Sequence, residues 1–247
     1  MSYDITGKIA LITGANRGIG KAITETFIER GAAKTYAAVR SLDSAESLVA
    51  EYGDKVMPLH IDLANKESIT EAAKKARDVD LVVNNGGVLE LATLLDDGVF
   101  EALEHEMDVN CYGLIRMAQA FAPVLKANGG GAFVQINSIA SMKCFAHLAT
   151  YCASKAAAYS VTLALRELLD EQGTRVVSVH PGLIRTDMIV RQGLEEMAEP
   201  PSLVAESILE ALDSGNFHSF PDSVASSIGR AYQRYAENVV LAATPEG

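Results

Sequence analysis

Thr13-Gly14-Ala15-Asn16-Arg17-Gly18-Ile19-Gly20 follows the apolar run Lys8–Thr13 and opens a segment of helical character. Glycines at such a junction permit a tight turn and let backbone N–H groups come close to an anion. A helix starting directly behind them adds unpaired N–H groups and the positive end of a dipole, a combination suited to a phosphate. The spacing is Gly-x3-Gly-x-Gly, which departs from the G-x-G-x-x-G dinucleotide fingerprint. A glycine cluster alone is often only a turn. Its place, at the end of a first strand and the start of a first helix, is where open α/β sheets bind their ligands.

Outward from this loop the chain keeps one rhythm. Short, nearly continuous apolar runs at Lys8–Thr13, Thr35–Val39, Val56–Ile61, Leu81–Asn84, Ala132–Asn137 and Val176–His180 read as strands buried on both faces, as in a parallel sheet. Helical stretches lie between them at 18–30, 43–52, 66–77, 99–126 and 151–171. Residues 187–215 read as two helices broken by Pro200-Pro201, followed by a possible last strand, Asn216–Pro221, and a helical tail reaching about residue 240. Alternation repeated this often predicts right-handed βαβ crossovers and an α/β fold: a Rossmann-type doubly wound parallel sheet of about seven strands with helices on both faces. With no Pro/Gly/Ser linker, residues 1–247 read as a single domain, its cofactor half at about 1–137 and its catalytic and substrate part at about 138–247.

The composition narrows the function. Hydrophobic residues make up 49% and charged residues 21% of the chain, enough apolar content for a sizeable core. The net charge of −11 argues against a nucleic-acid or anionic-membrane partner, so an anionic cofactor needs its own local bases. The three cysteines, Cys111, Cys144 and Cys152, have no CxxC spacing and are odd in number. They read as reduced, mostly buried thiols rather than a disulfide scaffold or zinc site, and no metal is expected. Met1-Ser2-Tyr3-Asp4-Ile5 lacks the pattern of a signal peptide, and no apolar run approaches a bilayer span. A cytoplasmic location is expected.

Tyr151 and Lys155 stand at i and i+4 early in a helix and so share a face. An ammonium near a phenol favours the phenolate, which suits general acid/base work at a carbonyl oxygen. Tyr-x3-Lys by itself is more often an ordinary exposed helix face. Ser138, at the end of the fifth strand and thirteen residues before Tyr151, would fall at the carboxyl edge of a parallel sheet, near the same cleft.

Thr-Gly-x3-Gly-x-Gly at 13–20, Asn84-Asn85-Gly86-Gly87 after the fourth strand and Tyr151-x3-Lys155, in that order over residues 7–190, together resemble the short-chain dehydrogenase/reductase family. The family usually has alanine where this chain has Gly86; the missing methyl is expected to loosen the turn slightly without altering chemistry. The resemblance implies that Ser138 hydrogen-bonds the substrate oxygen, that Tyr151 donates the proton in reduction, and that Lys155 holds the ribose hydroxyls and tunes Tyr151. It further implies that Asn110 holds a water of the proton relay, although an asparagine within a helix can simply bond locally. Gly14, Asn16, Arg17, Gly18, Ile19 and Gly20 would cradle the cofactor, with Asn84 and Gly86 beside them. Asp62, with Leu63, would contact the adenine, or else Asp62 caps the helix that follows. In Pro181-Gly182-Leu183-Ile184-Arg185-Thr186, similar to the family's Pro-Gly-x3-Thr segment, Pro181, Gly182, Ile184 and Thr186 would meet the nicotinamide side.

A carboxylate at the end of the second strand, about 20 residues past the glycine loop, would select NAD by binding the ribose 2′-hydroxyl. Here Tyr36-Ala37-Ala38-Val39-Arg40-Ser41 has no acid before Asp43. Arg40, with Ser41 beside it, and Arg17 offer positive forks for a 2′-phosphate, so NADP(H) is the expected cofactor. Met142–Leu148, Met188 and Ile189 read as the wall of an apolar, adaptable pocket for a ketone or aldehyde. His147 reads as a packing or surface residue. A 3-oxoacyl thioester reductase is the alternative enzyme, weakened because Gly129-Gly130-Gly131 lacks the basic residues that carrier-protein reductases of the family present there. A non-catalytic NADP sensor is the alternative from another class. The small residues Ala153, Ala156, Ala157 and Ala158 on the Tyr151 helix, with the family's habit of pairing this helix and the one at 99–126 between subunits, predict a homo-oligomer, a tetramer ahead of a dimer.

Overall fold

A computed structural model describes residues 3–191 and 193–242, so Met1 and Ser2 of the expected leaderless start, and the last residues of the domain range, lie outside it. Seven strands form one sheet in the order β3-β2-β1-β4-β5-β6-β7. They are β1 (Ile9–Thr13), β2 (Lys34–Val39), β3 (Val56–His60), β4 (Leu81–Asn84), β5 (Ala132–Ile136), β6 (Arg175–Val179) and the two-residue β7 (His218–Ser219). Every pairing is parallel. The order reverses between β1 and β4, which opens a crevice at their carboxyl ends.

Both faces of the sheet are covered, which explains why the strands read as continuous apolar runs. Ala10 and Ile12 of β1 face one core with Ile23 and Phe27 of α1 (Gly18–Glu29) and Val204 and Ile208 of α8 (Ser202–Ser214). Leu11, between them, faces the other. There it meets residues of α3 (Lys66–Lys75), α5 (Gly113–Ala127) and α6 (Ala149–Asp170), among them Ile69, Leu114, Phe121 and Ala158. Completing the series are α2 (Glu46–Tyr52), α4 (Val99–Glu106), the short α7 (Asp187–Val190) and α9 (Ser223–Tyr235).

Three departures from the expected elements bear on the site. The helix expected at 99–126 is interrupted by a π-helical turn, Met107–Tyr112, between α4 and α5. The Asp108 carbonyl there accepts from Gly113 N–H and, at 3.1 Å, from the Arg116 guanidinium, whose other nitrogen reaches the Asp108 carboxylate at 2.7 Å. α6 begins at Ala149, which puts Tyr151 in its first turn. Ala158 points into the core, so only Ala153 and Ala156 of the expected small-residue face are exposed. Among the described residues no helix is long and apolar enough to cross a membrane.

Candidate active site

The glycine loop is fixed by the turn beyond β4. Thr13 Oγ1 accepts from Asn85 N at 2.9 Å and Gly86 N at 2.8 Å, and Asn85 Nδ2 donates to Thr13 O at 2.8 Å. Gly14 (φ +66°) and Gly18 (φ +52°) take left-handed conformations, and a Cβ on Gly20 would lie 2.2 Å from Gly14 O. No side chain caps α1, and its first turn carries no acid. Its leading N–H groups, beside Asn16 and Ile19, are therefore open to an anion, and the loop fits a pyrophosphate.

Several residues expected at the cofactor have other work. Asn84 is buried inside the sheet, its Nδ2 donating to Gln135 Oε1 at 2.7 Å and its Oδ1 accepting from Thr13 Oγ1 at 3.3 Å. Gly86 does not loosen its turn: besides the bonds to Thr13, the Leu63 side chain fills the space a methyl would take, 3.0 Å from an added Cβ. Leu63 is thus buried packing at this point. Asp62 does not cap α3. Asn65 does, accepting from Ser68 N at 3.0 Å, while Asp62 Oδ1 turns locally to Ala64 N at 3.0 Å. Gly182 N–H is occupied by Asp222 Oδ2 at 2.6 Å, and the same buried carboxylate caps α9 through Ala225 N.

The segment Pro181–Asp187 closes over the glycine loop. Ile184 is buried and accepts from Thr186 Oγ1 at 3.3 Å, and the Thr186 methyl would sit 3.1 Å from a Cβ on Gly18. Arg17 Nη1 pairs with Asp187 Oδ2 at 2.7 Å, both side chains more than half exposed. Arg17 is therefore not a free phosphate fork here. Arg40, exposed next to Ser41 at the end of β2, has no ion-pair partner among the described residues.

Ser138, Tyr151, Lys155 and Asn110 come together at the carboxyl edge of β4 and β5. Ser138 lies close enough to Tyr151 to act on its phenol, and its Oγ accepts from Ala140 N at 3.1 Å and donates to Pro181 O at 3.4 Å. Lys155 is buried and donates to Ile136 O at 3.0 Å, its Nζ 5.8 Å from the centre of the Tyr151 ring. Burial pushes Lys155 down to about 8, partly opposed by the Glu106 carboxylate. The expected lowering of Tyr151 by Lys155 is not found: burial raises its phenol, Ser138 counteracts, and the phenol stays protonated. Asn110 ties the Gly87–Val88 turn to α6. Its Oδ1 accepts from Val88 N at 2.9 Å, and Nδ2 donates to Val88 O at 2.9 Å and Ser154 Oγ at 3.0 Å. Both amide protons are spent, so any bound water has only an Oδ1 lone pair or a backbone carbonyl of the π turn to donate to. π turns inside helices often mark functional positions.

Two groups that sequence reasoning passed over stand behind this cluster. Glu106 is fully buried at the end of α4, with Oε1 accepting from Glu90 N at 2.8 Å and Oε2 without a partner among the described residues. Desolvation raises its carboxyl. His180 is also fully buried, its Nε2 2.7 Å from Ser178 Oγ and its Nδ1 2.9 Å from Ser141 Oγ, in the turn that Ser138 begins. Burial pushes it down to about 3, so it is neutral. Glu106 has only its place four residues before Asn110 as a signal, and His180 only its place just before Pro181-Gly182. His147, at the surface, stays outside the cluster.

A nucleotide cradle at the β1–β4 crevice beside a Ser–Tyr–Lys–Asn cluster defines a dinucleotide-dependent dehydrogenase type of site. The chain belongs to the short-chain dehydrogenase family, whose model it matches over residues 8–196, and it is an oxidoreductase. It is 31% identical over 214 residues to an uncharacterised oxidoreductase of Staphylococcus aureus N315, covering 84% of this chain and 92% of that protein. A crystal structure of a short-chain dehydrogenase from Burkholderia cenocepacia J2315 in complex with NADP superposes with a TM-score of 0.86 at 34% identity, covering 98% of this chain and all of that one. A family member from Burkholderia phymatum in complex with NAD shares the fold with a TM-score of 0.84 at 20% identity over 99% of both chains.

Proposed function

We propose that the protein is an NADP(H)-dependent reductase that interconverts a ketone or aldehyde and the corresponding alcohol. The observation that carries this reading is the gathering of Ser138, Tyr151 and Lys155, whose Nζ lies 5.8 Å from the centre of the Tyr151 ring, at the crevice where α1 starts uncapped. The bound nicotinamide supplies or accepts the hydride. Ser138 donates a hydrogen bond to the substrate oxygen, and Tyr151, protonated in its buried setting, gives that oxygen its proton. Lys155 reaches the ribose hydroxyls from its place at Ile136 O. Asn110 holds the Val88 turn in register with α6. Support for NADP comes from the missing acid at the end of β2 and from Arg40, which has no ion-pair partner among the described residues, with the NADP complex of the Burkholderia cenocepacia relative in agreement.

The test is to incubate the protein with NADPH or NADH and a panel of ketones, aldehydes, acyl thioesters and steroids, following nicotinamide absorbance. Consumption of NADPH with an apolar ketone, at several times the NADH rate, is expected. Binding without turnover would replace this reading with a sensor, and thioester-only turnover with a 3-oxoacyl reductase. The expected partners are an apolar carbonyl substrate and further copies of the chain, a tetramer ahead of a dimer. Phe100 and Leu168, each 72% exposed on α4 and α6, support the assembly. A monomer mass in light scattering at micromolar protein would refute it. A cytoplasmic location completes the proposal.

A further inference from the structure

We propose that Cys144 and Cys152 are an oxidisable pair that closes to a reversible disulfide when a hydroperoxide reaches Cys144. Cys144 is exposed in the loop between Ser138 and α6, whereas Cys152 is buried in the first turn of α6, directly after Tyr151. The chain folds back so that the residue following Cys144 touches Cys152. Phe145 N donates to Cys152 Sγ at 3.3 Å, and that thiol lies 3.9 Å from Phe145 O. These contacts set the backbone next to Cys144 against the Cys152 thiol, which packs in one small cluster with Tyr151, Leu148, Ala140 and Phe145. Cys111, buried on the π turn, takes no part.

The geometry divides the labour. The exposed Cys144 thiolate attacks a peroxide oxygen, forming a sulfenic acid and releasing water from hydrogen peroxide. Cys152 then displaces the sulfenic hydroxyl, which leaves as a second water with the thiol proton, and the S–S bond forms. Two thiols lose two electrons and the peroxide gains them. A dithiol reverses the reaction by exchange. Burial holds the Cys152 thiol up, so its step is the slower one, but the backbone neighbour of Cys144 already lies 3.3 Å from its sulfur. Transient disulfides of this kind are compatible with a reducing compartment. The bond would draw Phe145 toward Tyr151; the expected effect on turnover rests on the function proposed above, whereas bond formation does not.

No Lys or Arg lies between Lys143 and Lys155, so trypsin releases both cysteines in the single peptide Cys144–Lys155. The full-length protein is treated with hydrogen peroxide, alkylated and digested, with and without a later dithiothreitol step. The expected result is this peptide unalkylated and lighter by two hydrogens, fully alkylated again after dithiothreitol, and never unalkylated in Cys144→Ser or Cys152→Ser. Overturning results are Cys144 carried to sulfinic acid with Cys152 still alkylated, a dimer linked through Cys144, or no reaction. NADPH turnover with a ketone, read in parallel, should fall at least fivefold on oxidation and recover. A disulfide without that fall leaves the pair standing and removes the 142–148 loop from the substrate wall.

Discussion

The proposed catalytic cluster and the proposed nucleotide rim of this molecule are built in opposite ways. Tyr151, Lys155 and Asn110 are buried, and Lys155 and Asn110 are each tied to backbone before any ligand arrives. Arg17 and Arg40 are exposed, one holding a neighbouring carboxylate and the other without an ion-pair partner among the described residues. The contrast follows from what each region must do. Proton transfer needs groups fixed within tenths of an ångström, and burial with full hydrogen bonding supplies that fixity. Recognition of a mobile, highly charged phosphate needs only charge within reach, and solvated arginines supply it at little folding cost.

The sharpest way to break the comparison is at Tyr151. Tyr151→Phe keeps the ring in its small cluster and removes the only proton it can give, so kcat should fall by ~10²–10⁴ while NADPH affinity holds. Steady-state kinetics and a fluorescence titration of NADPH separate the two. A variant with more than a tenth of wild-type kcat would move the acid elsewhere. The next largest effect lies on the rim. Arg40→Ala should raise KM for NADPH by ~10–100-fold and leave that for NADH nearly unchanged, because a charge-assisted bond to the 2′-phosphate is lost. Equal use of both cofactors by the wild type would remove the basis for this assignment.

The same division decided what could be read from sequence. The strands were legible because both faces of the sheet are buried, so that Ala10, Leu11 and Ile12 are all apolar though they face two cores. Tyr151 and Lys155 were legible by their spacing, Ser138 by its place after a strand and Asn110 only through the family resemblance; the structure brings the four together. Partnerships across long loops were not legible. Nothing local to Gly182 announces Asp222, forty residues on, and nothing near Asn84 announces Gln135. The π turn was hidden because Met107–Tyr112 has the same helical pattern as its flanks; its widening is stabilised by Arg116, which also bonds Leu63 O at 2.9 Å.

His180 extends the comparison to stability. It lies under the Ser138 turn, edge-on to Tyr159 at 4.9 Å and stacked on Phe220 at 5.3 Å, with His218 5.7 Å away. Burial pushes His180 down to about 3 and His218 to about 4, both from 6.5. Between those values and 6.5 the unfolded chain binds protons that the folded chain refuses, so stability should fall as pH drops through this window. Urea unfolding at pH 7.5, 6.0 and 5.0 should show the loss. In His180→Asn the slope should be shallower by up to about one proton, that is ~1.4 kcal/mol per pH unit, and a variant with an unchanged slope would show that His180 is not the titrating group.

The smallest effect is expected at the Arg17–Asp187 pair, where the rim meets the segment closing over the glycine loop. To reach a phosphate Arg17 must leave Asp187, and since both side chains are more than half exposed, that exchange costs little and gains little. Arg17→Ala should therefore raise KM for NADPH only ~2–5-fold, well below the effect of Arg40→Ala. Asp187→Ala should act in the opposite direction, lowering that KM ~2-fold by freeing the guanidinium and removing a negative charge near the phosphates. If Asp187 acts through Arg17, its substitution should have a smaller effect in an Arg17→Ala background, which a double-mutant cycle on KM measures. Rising salt should shrink both effects, since the pair sits in solvent. An Arg17→Ala loss as large as that of Arg40→Ala, with Asp187→Ala neutral, would show that the pairing does not restrain Arg17 and that the two arginines bind the phosphate as equals.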